Sequence, residues 1–165
     1  MTKRIGWLIL VLALAAGSAT AKDVTPVFKT AEATHFTGAE GVELTPSFYD
    51  YFYAELRDEL KKSKLVKDVV GEGEAVDDAD AEKSVVISGT VSEYKKGSVV
   101  KSRLIGFGMR SLKMDADVTR RSDKQALCVI HVHVKVDPSW NEKTMAKFAA
   151  QEIARQMRKE FAQKK

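Results

Sequence analysis

Two imidazoles and two carboxylates recur at period two in the second half of the chain, His131 with His133 and Asp115 with Asp117. Residues two apart on a strand point to the same face, so two strands joined by a turn would gather all four on one patch. That donor set suits zinc or another divalent ion. The same face also carries Lys113 and Lys135, whose ammonium groups repel a cation, and it offers neither a cysteine nor a third imidazole. Asp and His paired on a solvated sheet face need no ligand, so metal or small-ligand binding through Asp115, Asp117, His131 and His133 is the secondary expectation.

Other chemistry has weaker roots. No serine sits in a G-x-S-x-G elbow and no H-E-x-x-H pair is present. His35 is a candidate base, yet no neighbour in sequence marks a nucleophile for it, so a hydrolase site assembled from loops ranks third and no enzymatic activity is expected. Residues 71–82 hold six carboxylates and no basic residue. Counted from Asp78, the sixth position of a calcium loop would need glycine and is Lys83, which favours a solvated acidic loop. Gly106-Phe107-Gly108 precedes a strand where a phosphate loop would precede a helix, so it reads as a bend or bulge. The single cysteine, Cys128, falls in the period-two series Ala126, Cys128, Ile130, Val132, Val134, Val136, the core face of a strand. No cofactor is expected.

The address is written at the start of the chain. Lys3 and Arg4 precede an apolar run, and Ala19-Thr20-Ala21 has the small-x-small pattern of signal-peptide cleavage, so residues 1–21 read as a signal peptide removed after Ala21. An uncleaved anchor is the competing reading, because residues 5–21 are free of charge. Lys22 stands where a bacterial lipid anchor would need cysteine. The protein is therefore expected in the periplasm with no stable membrane span after cleavage. Loss of the leader takes 27 basic residues against 23 acidic to 25 against 23, which gives no basis for a nucleic-acid partner.

Residues 22–165 suffice for one domain with its own core. A short strand is expected at 24–31 and a loop at 37–44. Thr45 then caps, and Pro46 opens, a helix over 45–64, with Phe48, Tyr49, Phe52, Tyr53, Leu56 and Leu60 on its buried stripe. A second short strand fits 65–70. From 84 the pattern turns to β structure: strands at 84–94, 99–104, 110–119 and 125–136, with turns at 95–98 and 121–124. Ser139 and Glu142 match a capping box for a last helix over 140–162, its stripe being Ala146, Ala149, Ala150, Ile153, Met157 and Phe161. Lys147, Arg155, Arg158 and Lys159 lie opposite that stripe, a solvated face or one suited to an anionic lipid surface.

The stretch Ser88-Gly89-Thr90-Val91-Ser92-Glu93-Tyr94, then Gly97, then Arg103-Leu104-Ile105-Gly106-Phe107-Gly108, resembles the bacterial envelope family called domain of unknown function 4410. The order of elements over 45–160 agrees with it. The resemblance implies an envelope protein with an α+β domain, and it supplies no functional residues. This chain departs from the family in lacking the lipid-bearing cysteine and in having Arg121-Ser122-Asp123-Lys124 at one hairpin.

The expectation is an α+β fold: an antiparallel sheet, made of a meander of three to four strands plus one or two short N-terminal strands, with two helices packed on one face. The function expected is noncatalytic binding or assembly in the cell envelope with another envelope protein as partner. Oligomeric state is not written in the pattern.

Overall fold

The computed structural model describes residues 27–99, 103 and 108–162. The leader expected at 1–21, most of the strand expected at 99–104 and the Gly106-Phe107 pair lie outside the described residues. Five strands form one mixed sheet in the order β2-β1-β3-β4-β5: β1 Phe28–Gly38, β2 Val66–Val70, β3 Ser84–Lys95, β4 Arg110–Arg120 and β5 Ala126–Val136. Helices α1 Pro46–Lys62 and α2 Glu142–Ala162 pack on each other and on one face of the sheet, giving the expected α+β architecture. None of the described helices is long and apolar enough to cross a membrane.

Strands β3, β4 and β5 form the antiparallel meander read from their alternation. The N-terminal strands differ from the expected sheet, since β1 runs parallel to both of its neighbours, β2 and β3. Strand β1 is also longer than expected and occupies an inner position. Its alternation was obscured because the register shifts between Ala33 and Phe36, so the apolar residues change parity midway. Its outward Thr30 and Glu32 are buried as well, because the connection from β2 to β3 crosses that face.

The helices follow their sequence signals closely. The Thr45 side chain accepts from the Phe48 amide at 3.1 Å, and Pro46 occupies the first turn. Phe48, Phe52, Leu56 and Leu60 are fully buried, while Tyr49 and Tyr53 pack at the margin. Helix α2 buries Met145, Ala146, Ala149, Ala150, Ile153, Ala154 and Met157, and its alanines let α1 approach closely. Phe161 meets Phe28 edge to face at 5.0 Å.

Two glycines answer to steric demands. A Cβ on Gly89 would lie 2.3 Å from the Asp115 carbonyl and 2.4 Å from the Phe36 ring, so β3 needs glycine where Phe36 lies over it. Gly97 has φ of 71°, and a Cβ there would meet the Gly108 carbonyl at 2.6 Å. The Ser98 amide donates to that same carbonyl at 2.8 Å, which closes the neck between β3 and β4.

The expected capping box is replaced by two separate devices. Asn141 caps α2, its side-chain oxygen accepting from the Thr144 amide at 3.0 Å, while Ser139 bonds to Asp137 instead. Glu142 is thereby free to act at long range. It accepts from Thr45 at 2.6 Å and from Tyr94 at 3.3 Å, tying together the starts of both helices and the end of β3.

Candidate functional site

The meander register decides what the four ligand candidates can do. Asp115 stands opposite His131, but His133 stands opposite Lys113 and Asp117 opposite Val129. Asp115 and His131 are in direct contact, carboxylate oxygen to Nδ1 at 2.6 Å, with the imidazole 79% exposed. Lys113 bonds to Glu93 at 3.1 Å, which holds the Glu93 carboxyl below the usual range, with help from Lys95 and Ser111. The structure thus brings one imidazole to one carboxylate and sets the other two candidates apart. Among the described residues, no group of three or more His, Cys, Asp or Glu side chains is close enough to hold a metal ion. His35 stands 4.0 Å from Glu72, both well exposed. Cys128 packs against the core, in keeping with the apolar series it belongs to.

The outer face is not uniformly solvated. The 71–83 connection passes over β1, and there the carboxylate of Glu32 pairs with Arg121 and accepts from the Gly73 amide at 3.1 Å. Lys29 pairs with Asp80 on the short 3-10 turn Asp78–Lys83, and that carboxylate raises the Lys29 pKa. So part of the acidic stretch is a structural strap over the sheet. Arg121, noted at first only as a hairpin residue, is one of its anchors.

A different surface emerges along β5, an edge strand with no described strand on the side away from β4. Backbone groups alternate in direction along an antiparallel pair. The His131 carbonyl receives Gln156 of α2 at 2.9 Å from the open side, which places the backbone groups of Val129, His133 and Lys135 on that side too. Next to this edge, Trp140 and Phe148 stack at 5.8 Å and remain 46% and 38% exposed. Trp140 is held by a turn in which its amide donates to Asp137 at 3.0 Å. The Ser139 hydroxyl and amide both donate to the Asp137 carboxylate, keeping its pKa below the usual range.

Two shallow hollows meet at Phe148 and Gln151. One runs toward Trp140 and Lys147, the other toward His133, Lys135 and Arg155. Arg155 bonds through Nε to Glu152 at 2.7 Å and lowers the pKa of that carboxyl. The surface combines an open strand edge, a bare aromatic pair and a mostly cationic border. Such a surface receives another polypeptide more readily than a small molecule. The sequence marked the basic side of α2 but not the exposed aromatic pair beside it. Its signal was there, since Phe148 falls off the stripe of Ala146, Ala149, Ala150 and Ile153.

No protein-family model matches the chain, and no curated protein sequence does. Solved structures do share its fold. The PelC dodecamer from Paraburkholderia phytofirmans is similar over 78% of this chain and 86% of that chain, with 14% identity and a TM-score of 0.55. A lipoprotein from Neisseria meningitidis covers 79% of this chain and 99% of its own at 10% identity and a TM-score of 0.49. A protein of the family called DUF330 from Xanthomonas campestris covers 82% and 85% at 9% identity and 0.48.

Proposed function

We propose that this protein is a noncatalytic binding or assembly module of the bacterial cell envelope, delivered to the periplasm by removal of residues 1–21. The observation that carries the reading is the β5 edge with Trp140 and Phe148 stacked in solvent beside it. Exposed aromatics beside the unpaired edge of a strand are costly unless something covers them, and a partner chain gains both backbone pairing and apolar burial there. A solved neighbour is a dodecamer, which supports the assembly side of this reading. The likeness between Ser88 and Gly108 to the domain of unknown function 4410 supports the envelope setting.

The test is a photo-crosslinking residue placed at Phe148 in the living bacterium, followed by mass spectrometry of the adducts. The expected result is a discrete crosslinked polypeptide from the envelope fraction. Illumination that leaves the protein uncrosslinked would remove the support for a binding surface.

A second reading rests on the Asp115–His131 contact, which orients one imidazole on an open face. A divalent ion there would need His133 or Asp117 to swing toward it. Calorimetric titration with zinc tests this directly: heat that disappears in His131→Ala with His133→Ala supports it, and no heat in the parent protein ends it.

A further inference from the structure

We infer that the partner of the β5 surface is a second copy of this chain, docked head to tail against the opposite side of the sheet. The inference rests on the binding-module reading and names its partner. Strand β2 ends at Val70, which pairs with Glu32, so β1 beyond that point has no described strand on its outer side. This upper half of β1 is level with the exposed part of β5. Following the register across the sheet, Phe36 aligns with Gly89, Ala116 and Ile130, and Gly38 aligns with Val91, Met114 and Val132.

The two sides carry opposite charge at that level. Exposed Glu72, 4.0 Å from His35 of β1, and exposed Glu74 lie on the β1 side, with Arg57 of α1 next to Glu74. Exposed Lys135 and Lys147 border the β5 side, where Arg155 and Glu152 neutralise each other. Lys64 and Lys67 sit lower, beside β2, below the level of the aromatic pair. The β1 side also offers an apolar receiver, since Tyr49 and Tyr53 stack at 6.5 Å and are only partly buried. Opposite charge at matching height selects the β1 side of another copy over a second β5 side, which would set lysine against lysine. Because the two contact surfaces differ, each docked copy presents a fresh surface, and association continues until a ring closes.

The experiment is sedimentation velocity on the protein purified from bacterial envelope extracts, at about 0.1 M and about 1 M salt, over which the screening length falls from about 10 Å to about 3 Å. The protein is expected to sediment as a multimer that loosens at high salt. Lys135→Glu with Lys147→Glu makes both sides acidic, and Glu72→Lys with Glu74→Lys makes both sides basic. Each double variant alone is expected to associate about tenfold more weakly or worse. Mixed in equal amounts they should reassemble, because each then meets its complement. Unchanged circular dichroism melts would show that these surface changes leave the fold intact. A protein that stays monomeric at both salts, or a mixture that fails to reassemble, overturns the inference. If the Phe148 crosslink then captures a different envelope protein, the pairing of copies falls while the binding-module reading stands; if it captures nothing, both fall.

Discussion

Gly89 shows how a single missing side chain organises the core. Phe36 lies across it, edge to face with Phe52 at 4.9 Å, and the Asp115 carbonyl crowds the same space. Gly89→Ala drives a methyl into backbone and ring together, so we expect a loss of about 3 kcal/mol or more, read from urea midpoints. Tyr53 is a second such residue, with its hydroxyl accepting from the Phe36 amide at 2.7 Å where β1 shifts register. Tyr53→Phe strands that amide and should cost about 1–2 kcal/mol. Burial raises the Tyr53 pKa in the folded protein above the unfolded value of about 10. The stability tied to the neutral hydroxyl is therefore complete below about pH 10 and is lost as pH rises through the folded value. In Tyr53→Phe, stability should fall less steeply with alkali, and an equal slope in both proteins would contradict this.

At the scale of elements, the start of α2 separates what was legible from what was not. Regular apolar spacing exposed both helices and the meander, because a buried face repeats at the period of its own backbone. The choice of cap was not legible, since Asn141 and Ser139 are both good caps and the contest was settled by Asp137 claiming Ser139. Nor did Glu142 announce that it would reach Thr45, 97 positions earlier. We expect Asn141→Ala to cost about 1 kcal/mol through the cap alone. Glu142→Ala should cost about 1–2 kcal/mol and couple to Thr45→Ala in a double-mutant cycle, whereas Asn141→Ala should not. The candidate metal patch was half legible for a related reason. Period two placed Asp115, Asp117, His131 and His133 on one face, but the turn and a bulge next to it had to assign their partners. The turn at 121–125, with Lys124 at φ of 56°, and the register shift between Val118 and Thr119 together aligned His133 with Lys113.

At the scale of the whole molecule, the sheet is strongest in its middle. Strands β1, β3 and β4 have neighbours on both sides along at least part of their length, while β2 and β5 close the sheet with one described neighbour each. Hydrogen exchange should reflect that order, with β3 amides opening only on global unfolding and β2 amides well before it. Equal protection in β2 and β3 would mean that the short edge strand is held by more than its pairing with β1. The parallel placement of β1 was the least legible feature, because it depends on contacts more than 50 residues apart, such as Ala33 with Ile87. Local pattern carries no record of such distance.

That inner placement of the first strand bears on how the chain matures. A polypeptide is made from its N-terminus, and β1 gains its longer neighbour only when residues 84–91 have followed it out. Until then β1 has only the four-residue match to β2, too little to close an interior. The nascent half therefore lacks a closed interior, and the molecule locks only once residues 84–91 have arrived.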